Sequence, residues 1–453
     1  MNISRTNVSG IGKFYVVLLL VIICVAAVGG AAYYFSTKEE VVQLQPIVVG
    51  FIGDLETDHG KGSLRGVEIA VEEFNEKGGV LGGRPLKLVT ADAKEDVHEG
   101  IKAFEYLVTV EKADLIIDGC MDDVTLGFLP RVAEYQVPTL STWTSAIVAI
   151  EKVREEPEKY KSYFMLNLND YYIGDQMMRY IRDVFVKEMG WKTCVILNED
   201  TSFGNAVADF VEATITEMTG IKVIDRIIYD IRTEDFSPIF SKIEASGADF
   251  VWQISAANPV PITVQYVKRQ VSVPFVGITA AAEAPEFWSD TGGMVGGVSC
   301  ITCGLTFASK VDPENQKFYE KYVAKYTTRP SKPLFNSYHA YWGLKMMIEA
   351  AERAGGFKPL DAWVKQMEEI TLVFEKDGKP YIVVDFWGIG EVDPYFGLSF
   401  PHAAKYDVED EGEEIVQGLI GTAIQWHADG TAVCTWPPRF ATGKFSLPPW
   451  ISR

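Results

Sequence analysis

Residues Ile47 to Lys94, IVVGFIGDLETDHGKGSLRGVEIAVEEFNEKGGVLGGRPLKLVTADAK, read as one complete strand, loop, helix and strand, and this unit narrows the fold most. Ile47–Ile52 is a continuous apolar run, as a parallel strand covered on both faces requires, and Leu86–Val89 repeats it in shorter form. Between them Leu64, Val67, Ala70, Val71 and Phe74 recur at helical spacing and make an inward stripe. Gly78 and Gly79 then stop the helix as left-handed caps. Ligands of open parallel sheets sit beyond the carboxyl ends of the strands, so the loop over 53–63 is the first place to look for function.

The same alternation continues. Ile101, Phe104, Leu107 and Val108 form a helical stripe, Leu115–Ile117 a buried strand, Leu126 to Ala133 a helix and Thr139–Leu140 a strand. After the charged stretch Glu151–Lys161 the pattern restarts: strands over 193–197, 222–228, 250–254 and 275–278 alternate with helices over 204–218, 236–245 and 262–269. Two successive α/β halves, each with helices on both faces of a parallel sheet, predict two lobes around a cleft. Residues 313–355 carry two further helices, and from Ile382 the chain turns to short β-like runs.

Phe14 to Phe35 is apolar or small throughout, long enough to cross a bilayer. Arg5 and Lys13 precede it and Lys38, Glu39 and Glu40 follow, which places residues 1–13 in the cytoplasm, 14–36 as a single transmembrane anchor, 37–45 as a tether and the remainder outside. The small residues between Ala26 and Ala32 keep open a removed signal segment. A formal charge of −20 argues against a nucleic-acid partner, which would need a basic face. Beyond the anchor stand Cys120, Cys194, Cys300, Cys303 and Cys434, and Cys300-x-x-Cys303 lacks the second ligand pair that a zinc site needs.

No catalytic constellation emerges. Gly60-x-Gly62 before a helix looks like the start of a dinucleotide fingerprint, but Arg65 stands where the third glycine belongs. There is no P-loop, no G-x-S-x-G elbow and no H-E-x-x-H, and five histidines are scattered. The expectation is a protein that is not an enzyme and takes no cofactor.

The succession VGFIG, GVEIAVEEFNEKGGVLGGRPLKLVTAD, LIIDG, VPTLSTWTSA, VILNEDTSFGNAVADFVE and IQWHADGTA resembles the type I periplasmic solute-binding proteins, specifically the branched-chain amino acid (leucine/isoleucine/valine) ABC-transporter receptors. The resemblance covers Ile47 to Trp436. It implies two Rossmann-like lobes joined by three crossovers near 167–170, 301–305 and 381–384. Lobe one would comprise 46–168 and 304–380, lobe two 169–303 and 381–453, with 385–412 an insertion.

The resemblance also implies a set of ligand contacts. His59 takes the ring position of the first loop; Asp122 and Asp123 fall in the loop that is serine-rich in the family; Trp143, Thr144 and Ser145 fall in the next carboxylate-binding loop. In lobe two Phe203 matches an aromatic before a glycine, Tyr338 an aromatic on the later helix, and the acid that receives an ammonium group falls near Thr279, with Glu283 the nearest carboxylate. Asp122 is a departure. Either Asp122 and Asp123 cap their helix and face away, or the ligand lacks a carboxylate there and suits an acidic, aromatic-lined cleft, as a cation, an amide or a urea-like molecule does.

The expected function is that of an extracytoplasmic, membrane-tethered receptor that captures a small polar solute by lobe closure and delivers it to ABC permease subunits with a cytoplasmic ATPase. A ligand-binding sensor signalling through a separate partner is the alternative.

Overall fold

The computed structural model describes residues 44–453 apart from 258, 408–414 and 453, together with Val21, Ile23, Val25 and Ala26, which lie in a helix. The rest of the expected membrane segment lies outside the described residues, among which no helix is long and apolar enough to cross a membrane.

The opening unit forms β1 (Ile47–Gly53), α1 (Asp58–Glu76) and β2 (Leu86–Asp92). It is followed by α2 (Val97–Thr109), β3 (Leu115–Gly119), α3 (Asp122–Tyr135), β4 (Thr139–Ser141), α4 (Ile147–Glu155) and β5 (Tyr163–Met165). These strands make a parallel sheet in the order β2-β1-β3-β4-β5. The unbroken apolar run of β1 suits its interior place, where Ile47, Val49, Phe51 and Ile52 are fully buried. Thr57 caps α1 by accepting the Gly60 amide, and the positive φ of Gly78 and Gly79 turns the chain out of the helix.

Glycines in and just after the broken dinucleotide motif have a packing role. A Cβ on Gly60 would lie 2.1 Å from the Asp54 carbonyl, and one on Gly66 would lie 2.3 Å from the Ser337 carbonyl. Gly66→Ala is therefore expected to lose about 1–3 kcal/mol of stability, seen as a lower denaturation midpoint with an unchanged denaturant slope. The side chain of Arg65, which disqualified the motif, reaches the carbonyls of Thr328 and Pro330.

The second half contains α5 (Asp170–Tyr180), which runs on as a π-helix over Ile181–Glu188, then β6 (Thr193–Glu199), α6 (Ser202–Thr219) and β7 (Lys222–Tyr229). It continues through α7 (Ser237–Ser246), β8 (Phe250–Ser255), α8 (Pro259–Arg269) and β9 (Phe275–Thr279). The order β7-β6-β8-β9 is again parallel. Val195, Leu197 and Val251 enter one core cluster while Cys194, Ile196, Phe250 and Trp252 enter another, so this sheet is covered on both faces. In each sheet the connections leave in opposite directions beside β1 and β6, which opens a crevice at those carboxyl ends.

The remaining elements are β10 (Ser299–Thr302), α9 (Pro313–Lys325), α10 (Phe335–Ala354), α11 (Leu360–Glu368), β11 (Leu372–Lys376), β12 (Lys379–Val384), β13 (Val416–Gln417), β14 (Thr422–Trp426) and β15 (Ala432–Trp436). β10, β14 and β15 form an antiparallel sheet, and β11, β12 and β13 a second small one. Ile382, Val384, Phe386, Phe400 and Ala403 belong to the core cluster of the first sheet. β13 pairs with β12 against that core and β14 pairs with β10, so residues 418–421 lead from the one sheet to the other. The insertion lies against the same core: Met165 of β5 bridges Ala403 in parallel, and His402 stacks on Phe164 at 4.0 Å, so the segment extends the first sheet.

Candidate functional site

The carboxyl ends of the two parallel sheets meet around a cleft of about 310 Å³ lined by Asp58, His59, Ala256, Ala257, Pro259, Val260, Ala280, Ala281, Ala284 and Leu334. His59, in the first turn of α1, reaches across it: Nε2 lies 3.0 Å from Glu283 Oε2, an N–H donating to a carboxylate. Glu283 ends a short 3-10 turn after β9 and is itself buried, with the Cys300 thiol 3.6 Å from its other oxygen. The His59 ring stacks on Trp143 with centroids 4.7 Å apart and planes 6° apart, and lies 5.6 Å from Phe335 at the start of α10. The backbone of His59 is held too, because Asn336 Nδ2 donates to its carbonyl and to Ser63 Oγ. Residues distant in sequence therefore fix one imidazole by both its backbone and its ring.

The loop after β4 is held from two sides. Asp122 Oδ1 accepts from Thr144 Oγ1 at 2.5 Å and from the Ser145 amide at 2.8 Å. Asn167 donates to the carbonyl of Trp143 at 2.7 Å and to Ser145 Oγ at 3.0 Å. Asp122 thus stands in the first turn of α3, but its side chain makes no cap bond and turns to the next loop; Asp123 is exposed. Asp170 accepts the Ile147 amide, and burial pushes its carboxyl up to about 6 against that bond, with the Asp122 charge adding to the rise. Burial and the charges of Glu283, Asp122 and Asp170 together push the Cys303 thiol well above its ordinary value, which places that thiol among carboxylates from several elements.

The other expected contacts are placed differently. Thr279 is buried at the end of β9, with no protein partner for its hydroxyl. Phe203 stands 46% exposed in the first turn of α6. Tyr338 does not line the cleft. It is 3% exposed, packs on Phe318 at 5.0 Å and borders a separate apolar cavity with Leu166, Leu305, Trp342 and Phe374, because the face of α10 that carries it turns into the first core. Phe335, Asn336, Asn167 and Asp170 were not anticipated. Phe335 and Asn336 stand two to three residues before Tyr338 on the same helix, and no spacing rule links them to His59.

Two further ties join the walls near the mouth, and a third holds Arg329 to its own side. Arg329, in the segment between α9 and α10, places Nε 2.7 Å from Asp58 Oδ1 and Nη1 2.7 Å from Asp290 Oδ2. The Ser331 amide donates to Glu286 Oε1 at 2.8 Å.

Comparison with known proteins adds a family context. A family model described as "Periplasmic binding protein" matches residues 46–386. The chain is 26% identical over 398 residues to the Leu/Ile/Val-binding protein homolog 7 of Brucella suis biovar 1 (strain 1330), covering 86% of this chain and 90% of that one. Among solved structures it is similar to a putative branched-chain amino acid ABC transporter from Silicibacter pomeroyi, with TM-score 0.70, 18% identity and coverage of 90% and 100% of the two chains. It is also similar to an ABC transporter substrate-binding protein from Sphaerobacter thermophilus, with TM-score 0.67, 18% identity and coverage of 88% and 99%. At that identity the likeness to solved structures speaks for the fold.

Proposed function

We propose, because this chain belongs to the periplasmic binding protein family, that it is the extracytoplasmic solute-binding component of an ABC importer. It traps a small polar solute between two closing lobes and presents the closed form to permease subunits coupled to a cytoplasmic ATPase. The names of its relatives support this reading, and one observation carries it: His59 and Trp143 from the edge of the first sheet meet Glu283 from the edge of the second across the cleft. In that arrangement Glu283 receives an N–H donor of the solute, Trp143 offers a flat face, and the Thr144–Ser145 loop forms the floor. Phe203, half exposed at the start of α6, and the free hydroxyl of Thr279 are secondary contacts in this proposal. Residues 14–36 anchor the protein to the membrane, and 37–45 tether it.

Closure is the mechanism, and no bond is made or broken. The solute favours the closed form by as much as it binds that form better than the open one. Thermal unfolding of the full chain with amino acids, amines, amides and urea tests the capture step. A solute that binds is expected to raise the midpoint in a saturable way, as ligand linkage requires, and no shift with any small solute would overturn the reading. Arg329→Ala removes the ties to Asp58 and Asp290 and is expected to increase the radius of gyration in small-angle scattering. Its cost in affinity should stay below about tenfold, since half-exposed ion pairs are worth about 0–1 kcal/mol.

A further inference from the structure

We propose that the solute is an organic cation that carries no carboxylate, because the chain's own carboxylates already occupy the donors with which this cleft would hold an anion. This inference rests on the solute-capture reading and narrows it to one chemical class.

An anion at the carboxyl edge of a parallel sheet is held by loop amides, hydroxyls and helix N-termini. Here several of those groups are engaged within the chain. Asp54 accepts the amides of Glu95 and Met121, at 2.9 and 3.0 Å. Asp118 accepts the Cys120 amide at 2.9 Å and the Thr125 hydroxyl at 2.8 Å. Asp122 takes the Thr144 hydroxyl and the Ser145 amide. The second sheet repeats the device: Glu199, at the end of β6, accepts the Ala257 amide through both oxygens, at 3.1 and 3.0 Å, and Ala257 lines the cleft.

The charges point the same way. No lysine or arginine is among the residues that line the cleft, and the guanidinium at its mouth, Arg329, is shared between Asp58 and Asp290. A solute carboxylate would thus lie beside Asp58 and close to Glu283, with no lysine or arginine of the described lining to offset them. A cation meets the reverse. His59 demonstrates the accommodation: a flat ring bearing an N–H lies against the Trp143 face and donates to Glu283. An ammonium or amidinium group that displaces the His59 ring finds the same two features, an aromatic face and a carboxylate oxygen.

The test uses pairs that share a cationic group and differ in a carboxylate: isoamylamine with leucine, agmatine with arginine, and choline with glycine betaine, each titrated calorimetrically into the full chain. In a pair that binds, the carboxylate-free member is expected to bind at least about 100-fold more tightly, a difference well beyond calorimetric error. Asp122→Ala frees the Thr144 and Ser145 donors and should cut that ratio by at least about tenfold; Asp122→Asn, which keeps an acceptor for both and removes only the charge, serves if the alanine variant does not fold and should cut the ratio through the charge alone. Equal or tighter binding of a carboxylate member, or a ratio unmoved in a folded Asp122 variant, overturns the inference and leaves solute capture standing. Binding of neutral amides or urea alone does the same. Absence of binding by every pair and every neutral solute overturns the capture reading and this inference with it.

Discussion

Glu73→Ala is expected to cost the fold about 2–4 kcal/mol, somewhat under the ~3–5 kcal/mol seen when a fully buried ion pair loses one partner, because one of the lysines involved is half exposed. Glu73 sits on α1, 8% exposed, and joins three helices: Oε1 lies 2.5 Å from Lys321 Nζ of α9, Oε2 lies 2.6 Å from Lys345 Nζ of α10, and Tyr341 Oη of α10 donates at 2.9 Å. Burial alone would raise this carboxyl; the bonds from Lys321, Lys345 and Tyr341 outweigh it and bring the carboxyl down to about 2. The sign follows from linkage. A carboxyl depressed in the folded state contributes stability that is fully present above its unfolded value of 4.5 and is lost as pH falls towards 2. Urea unfolding from pH 7 down to pH 3 should show a shallower acid limb in Glu73→Gln than in the parent. Parallel curves for the two proteins would mean that the network contributes little.

Glu283→Ala is expected to weaken solute binding by at least about 100-fold, the scale on which removal of a desolvated charged partner is felt at a binding site. The carboxylate is buried, and no other acid of the second wall faces His59 within hydrogen-bonding distance among the described residues. Calorimetry with the amine or amidine that binds best supplies the readout, and Glu283→Gln should fall between alanine and parent because it keeps an oxygen acceptor without the charge. The melting temperature of the alanine variant separates a lost contact from a lost fold. Affinity within about threefold of the parent would remove Glu283 from the site.

The α/β character was legible because a strand buried on both faces leaves an unbroken apolar run, and Ile47–Ile52, Leu115–Ile117 and Phe250–Trp252 all carry one. Strand ends also mark where loops cluster, so His59 and Trp143 could be named before their rings were seen together. What the residues could not convey was contact across long separations. Phe335 and Asn336 lie on a helix whose strongest local signal is burial, and their hold on His59 arises from the crossing of α10 over α1 at Gly66. Asp122 displays the opposite difficulty: an aspartate at a helix start satisfies a local rule, so its bonds to Thr144 and Ser145 leave no trace in the nearby sequence. Short strands such as β12 and β13 carry too few residues to declare which sheet they join.

The segment between α9 and α10 has a consequence for how such a receptor is adjusted. Arg329 and Ser331 grip the far wall at Asp290 and Glu286, outside the chamber that examines the solute. Selection acting there is a gain control: it sets the concentration at which the protein responds and leaves the choice of molecule untouched. A substitution that raises the closed population tenfold, from a small starting fraction, lowers the working concentration of every accepted solute by nearly the same factor. Sensitivity and discrimination are thus written in separate parts of one chain, and each is free to drift as nutrient levels change without eroding the other.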